Sequence, residues 1–301
     1  MVPPKKPLKG MYPILATPFH EDESIDYRSL NRLIDYCIDE GVDGLVTLAN
    51  ASEGHLMSDG EKKHLASAVI EHTRGRVPVV ISITHFSSKV AADKAQWAEN
   101  EGASAVMTLP PFFGTWKSGP ADIKSYLTRI GESIDIPLIL QDHPLADITL
   151  SASDLCDFAA TVPNLDYFKM EVDNTPLKMR SILDNASENF KGIFTGMNGI
   201  RLFMELEAGA LGCMPACIPA KPIADIIHHY FEGRRDEAFA LFQKWLPFID
   251  FLLRIGKKDA VKEYLRDRNV IDTATMREPK LSAWNDWCRE EFRYLEEKIE
   301  G

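Results

Sequence analysis

The chain has 301 residues, 45% of them hydrophobic, and a formal net charge of −11. That length supports one large core, either a single α/β barrel domain or two smaller domains. The acidic balance argues against nucleic acid and anionic membrane as partners, and no apolar run reaches the roughly 18 residues that a membrane span requires.

Residues 1–10 read as an N-terminal tail, basic and with no apolar stretch of leader type behind it. The cysteines at 37, 156, 213, 217 and 288 are odd in number and scattered, as expected of reduced thiols in a cytoplasmic protein. Three residues separate Cys213 from Cys217, and no Cys/His pair lies nearby to complete a zinc site.

A strand-then-helix rhythm follows. Tyr12–Ala16 is the first predicted strand. The spacing of Leu30, Leu33, Ile34, Cys37 and Ile38 predicts a helix over Tyr27–Glu40, stopped by Gly41. Predicted strands then fall at Gly44–Leu48, Val77–Thr84, Ala105–Leu109, Ile136–Gln141, Asp166–Glu171, Phe190–Thr195 and Leu211–Met214. Their predicted helices are Asp59–His72, Lys89–Glu101, Pro120–Glu132, Ser151–Thr161, Thr175–Asn185, Gly199–Ala208 and Pro222–Glu232. The strands are continuous apolar runs, the pattern of a parallel sheet buried on both faces. Eight such units predict a (βα)8 TIM barrel over residues 11–232. No glycine-rich nucleotide motif follows any strand. Beyond residue 233 the pattern is helical only, over Asp236–Phe251, Lys257–Arg268 and Leu281–Lys298. Residues 233–301 are therefore expected to form a C-terminal helical extension packed on the barrel.

Barrel chemistry sits where strands end. The sixth strand carries Lys169 in a mostly apolar run, with Glu171 two residues on and so on the same face. Burial disfavours the ammonium form of a lysine. A lysine held that way is the usual nucleophile for attack on a ketone to give a Schiff base. The alternative is a structural ion pair. Other strand ends carry Asn50, Ala51, Ser52 and Glu53, then His85, then Phe112 and Phe113, then Gln141, Asp142 and His143, then Gly196. His143 reads equally as a loop residue, and His228 with His229 as a solvated or packing pair.

With Gly41-Val42-Asp43-Gly44-Leu45-Val46, Glu53, Lys169 and Gly196, the chain resembles the dihydrodipicolinate synthase / N-acetylneuraminate lyase family of Schiff-base lyases. The resemblance covers roughly residues 10 to 275, including Lys258-Asp259-Ala260-Val261-Lys262-Glu263-Tyr264-Leu265. It implies a TIM barrel, commonly a homotetramer, acting on pyruvate or a 2-keto acid through a lysine imine. Two departures are informative. The hydroxyl that grips the keto-acid carboxylate in the family falls on Ala51, which leaves backbone N–H groups and Ser52 for that work. The tyrosine expected at the end of the fifth strand is Gln141, and the one after the fourth falls on Phe112 or Phe113.

One branch shares these departures. The 2-keto-3-deoxy-L-arabonate dehydratases resemble the chain at Leu48-Ala49-Asn50 with Ser52-Glu53, at Thr84-His85 with Ser87, and at Gln141-Asp142 with Pro144. They also resemble it at Tyr167-Phe168-Lys169 with Glu171, and at Trp245-Leu246-Pro247. The expectation is a dehydratase of a 2-keto-3-deoxy sugar acid, with Lys169, Glu171 and Gln141 catalytic. Asn50, Ala51, Ser52, Gly196, His85 and Phe113 are expected to bind substrate. Neither metal nor organic cofactor is implied, and the partner is a small 2-keto acid, with a homo-oligomer (tetramer or dimer) as the assembly. A pyruvate-releasing aldolase and a non-catalytic 2-keto acid binder are the alternatives.

Overall fold

The computed structural model describes residues 7–113, 116–146, 148, 150–280 and 283–300. Its eight parallel strands lie in one sheet with helices between them, the (βα)8 barrel, followed by C-terminal helices. The chain divides into two compact units.

One unit comprises the described residues among 7–9, 78–196 and 204–212. Its strands are the third to the seventh, Val79–Ser82, Ala105–Thr108, Leu138–Asp142, Leu165–Met170 and Gly192–Thr195. Each pairs in parallel with the next. Their side chains are almost wholly buried on both faces, which is why the sequence shows apolar runs without alternation. Helices of this unit start and stop on local signals. Ser151 caps Ala152–Thr161 by accepting from the Asp154 N–H, and Asp154 answers by accepting from the Ser151 N–H. Ser88–Glu101 ends at Gly102, whose φ is +100°. Leu8 is buried, and its N–H donates to Tyr167 Oη at 3.0 Å. Residues 1–6 of the expected tail lie outside the described residues.

The other unit comprises the described residues among 10–77, 197–203 and 213–300. It holds the first strand, Gly10–Met11, and the second, Leu45–Thr47. Ile14 bridges Val46 on one side and Ala216, just past the eighth strand, on the other. The strand expected over Tyr12–Ala16 is thus reduced to single contacts. Pro13 has no N–H to give to the ladder. Arg235–Phe251, Lys257–Asp267 and Asp286–Glu300 form the C-terminal helices. Phe248, Phe251, Tyr264, Trp284 and Phe292 pack against one another there, mostly edge-on or tilted, at centroid distances of 5.4 to 6.4 Å.

The remaining departures are local. A two-strand hairpin pairs Phe112–Phe113 with Trp116–Lys117. The helix expected over Gly199–Ala208 is regular only over Leu202–Glu207, because Gly199 itself turns left-handed at φ 77°. A π-helical turn, Leu252–Gly256, joins two C-terminal helices. Leu281, where the last helix was expected to begin, lies outside the described residues. No helix among the described residues is long and apolar enough to cross a membrane.

Candidate active site

The fifth and sixth strands set the geometry. Their register places Gln141 beside Lys169, and neighbours across a parallel ladder share a face. Both side chains are buried, Lys169 at 1% exposure. Glu171 follows the end of the sixth strand and is held there by its N–H, which donates to the Asp142 carbonyl at 2.9 Å. Its carboxylate turns back onto the pair. Lys169 Nζ lies 3.3 Å from Glu171 Oε2, and Gln141 Nε2 donates to the same oxygen at 2.5 Å. An amine, a carboxylate and an amide thus converge in a buried setting, where charge–charge attraction is weakly screened. Removing either charge would leave the other buried without its counter-charge, a cost of about 3–5 kcal/mol.

Gly196, just past the seventh strand, completes this group. A Cβ there would lie 2.1 Å from Glu171 Oε1 and 2.4 Å from its Cγ. The glycine therefore gives Glu171 the space it occupies. The close approach at Gly196 is by a side chain of the protein itself.

Asp142 points to the opposite face of its strand, where Lys178 Nζ meets its carboxylate at 2.6 Å. Burial pushes the Asp142 carboxyl up and Lys178 pulls it back. His143 follows. Its Nδ1 accepts from the Leu145 N–H at 2.9 Å, and burial lowers its pKa.

His85 lies in the same unit. Its Nδ1 accepts from the Ser87 N–H at 3.0 Å, and its ring stacks on Phe86 at 4.8 Å. Its carbonyl accepts from Tyr126 Oη at 2.8 Å. The neutral ring therefore carries its proton on Nε2. Phe113 lies in the hairpin by its backbone, and its side chain is outside the described residues.

Asn50, Ala51 and Ser52 belong to the other compact unit, as a single 3-10 turn. Thr17 Oγ1 donates to the Ser52 carbonyl at 2.7 Å. The Ser52 hydroxyl is buried with no hydrogen-bond partner among the described residues. Glu53 follows in a left-handed conformation, φ 57°, and is ion-paired to Lys262 Nζ at 2.5 Å, with both side chains fully buried. Lys262 also donates to the Thr275 carbonyl at 2.8 Å and lies 4.4 Å above the Phe19 ring. Burial pulls the Lys262 pKa down and Glu53 opposes it.

Sequence reasoning did not single out Lys178 or Tyr126, and it named Glu53 and Lys262 without pairing them. For Lys262 the signal was present. It stands between Ala260-Val261 and Tyr264-Leu265, the same lysine-in-an-apolar-run pattern that marks Lys169. Lys178 carries no such mark, because one lysine on an amphipathic helix reads as a solvated residue. Among the described residues, no group of three or more His, Cys, Asp or Glu side chains is placed to hold a metal ion.

The family model described as the dihydrodipicolinate synthetase family matches residues 7–297. The chain is 34% identical over 272 residues to an L-2-keto-3-deoxyarabonate dehydratase of Azospirillum brasilense, covering 90% of this chain and 88% of that protein. It is 31% identical over 139 residues to a protein of Escherichia coli named as a probable 2-dehydro-3-deoxy-D-pentonate aldolase, covering 46% of each. Among solved structures, a dihydrodipicolinate synthase from Rhodopseudomonas palustris superposes with a TM-score of 0.88 at 26% identity, covering 97% of both chains.

Proposed function

The chain belongs to the dihydrodipicolinate synthetase family and is a lyase, and on that premise we propose that it dehydrates a 2-keto-3-deoxy sugar acid through an imine on Lys169. The observation that carries this reading is the Gln141 amide on the Glu171 carboxylate, 2.5 Å apart, with Lys169 Nζ 3.3 Å from the same oxygen.

In this reading the Lys169 amine attacks the C2 ketone and water leaves, forming the iminium. The iminium is the electron sink. Glu171 takes a proton from C3 to give the enamine. The enamine expels the C4 hydroxyl, which departs as water with the proton that Glu171 returns. Hydrolysis of the imine then frees Lys169. Gln141 has no titratable proton, so it orients the carboxylate and does not replace an aldolase phenol. Carbon–carbon cleavage would instead need a base on the C4 hydroxyl. Ser52, whose buried hydroxyl has no hydrogen-bond partner among the described residues, is proposed to serve the substrate carboxylate together with the backbone of Asn50 and Ala51. His85, Gly196 and Phe113 are proposed to line the substrate site, and a homo-oligomer in the cytoplasm belongs to the same reading.

The aldolase relative keeps one second reading open, in which pyruvate is released from the same substrates. A panel of 2-keto-3-deoxy acids, assayed for substrate loss and for pyruvate in parallel, decides between them. Dehydration predicts loss without pyruvate, and stoichiometric pyruvate would replace the dehydratase by the aldolase. A protein that binds these acids and turns over none of them would be a binder.

A further inference from the structure

Asp142 ends the fifth strand one residue after Gln141, and strand alternation turns it away from Lys169. Its carboxylate is buried, at 1% exposure, and meets Lys178 Nζ at 2.6 Å. Lys178 stands on the helix Thr175–Leu183. Only Val172, Asp173 and Asn174 separate Glu171 from that helix. Asn174 turns left-handed at φ 54°, and Thr175 Oγ1 donates to the Val172 carbonyl at 2.5 Å. The Asp142 carbonyl in turn accepts the Glu171 N–H. These links close a ring from Glu171 through its loop to the helix, across Lys178 to Asp142, and back to Glu171.

We propose that Asp142 and Lys178 are a positioning pair that fixes the Glu171 carboxylate, so that turnover depends on Lys178 although it is not a reacting group. The inference rests on the role given to Glu171 above. The pair acts in two ways. It anchors the loop that carries Glu171 at both ends. It also cancels a second buried negative charge that would otherwise repel Glu171 through the neighbouring strand end, with Lys169 and His143 the other titratable groups of that cluster. Gly196 leaves Glu171 no slack on the far side. A shift of the loop therefore moves the carboxylate relative to Lys169, and misplacement by about 1 Å is enough to cost about 100-fold in rate.

The test uses Lys178→Met, Lys178→Arg and the double variant Asp142→Asn/Lys178→Met in the full chain. Lys178→Met is expected to lower kcat by about 10–100-fold with KM changed by less than about threefold. Trapping of pyruvate on Lys169 with borohydride is expected to keep its parental extent. Lys178→Arg keeps the charge and should retain kcat within about threefold, and the double variant should regain most of the loss because no unpaired carboxylate remains. Parental kcat in Lys178→Met overturns the proposal. So does a loss equally large in Lys178→Arg, or loss of trapping along with turnover, which marks general damage. If Lys178→Met does not fold, the arginine and double variants decide alone. If the parent releases pyruvate from these acids, the dehydratase reading fails, and the pair is judged by the same variants on that turnover.

Discussion

Glu171 is the residue on which most of the site converges. It accepts from Gln141, faces Lys169 and fills the space beside Gly196. Its spacing from Lys169 was legible in the sequence, since a period of two puts both on one face. The meaning of Gly196 was not, because a glycine shows only that something comes close. Two substitutions separate the roles. Glu171→Gln keeps the size and removes the proposed base, so borohydride trapping of pyruvate on Lys169 should survive while turnover falls by about 10²–10⁴-fold. Normal turnover in that variant would remove Glu171 from the mechanism. Gly196→Ala places a methyl group where Glu171 now lies. It should lower kcat by about 100-fold, while costing about 1–3 kcal/mol of stability from overpacking. A kcat unchanged in Gly196→Ala would show that Glu171 can work from another position.

At the scale of elements, the helices were legible wherever caps and periodicity agreed. Tyr27–Asp39 starts at Asp26, whose side chain accepts from the Ser29 N–H at 3.0 Å, and ends before Gly41 at φ +86°. Strand bounds were less legible, because residues flanking a buried strand are apolar whether or not they join the ladder. Pro13 interrupts the first strand for a reason that was visible in the sequence. The pairing of Phe112–Phe113 with Trp116–Lys117 gave no warning, since Pro110-Pro111 followed by aromatics reads as loop. A pH effect belongs to this scale. Glu61 accepts from Arg277, from the Ser58 N–H at 2.9 Å and from the Ser58 hydroxyl at 2.9 Å, which ties the helix Asp59–Thr73 to the C-terminal segment. Arg277 first and the Ser58 N–H next hold its pKa down at about 2, from a usual 4.5. A depressed carboxylate contributes stability that is present above its unfolded pKa and lost as pH falls through its folded one. Glu61→Gln should therefore cost about 1 kcal/mol near neutral pH, after allowance for solvent screening of a partly exposed pair. The gap between parent and variant, measured by urea unfolding, should narrow between about pH 5 and about pH 3. A gap that is constant with pH would mean that the charge on Glu61 contributes nothing.

At the scale of the molecule, the barrel was legible because eight apolar strand–helix units leave few other architectures. A barrel does not fix a substrate, since the same fold carries many chemistries. The solved structure from Rhodopseudomonas palustris, a dihydrodipicolinate synthase, shares the fold across 97% of the chain, whereas the Azospirillum brasilense relative is a dehydratase. The assignment therefore returns to the few side chains at the strand ends, and above all to what forms on Lys169. The most direct measurement is to mix the protein with a 2-keto-3-deoxypentonic acid, quench with borohydride and read the adduct on the Lys169 peptide by mass spectrometry, with Lys169→Ala as the blank. Dehydration through a lysine imine predicts an adduct carrying the whole carbon chain of the substrate less the water lost in elimination. A three-carbon pyruvate adduct on Lys169, or an adduct that persists in Lys169→Ala, would contradict it.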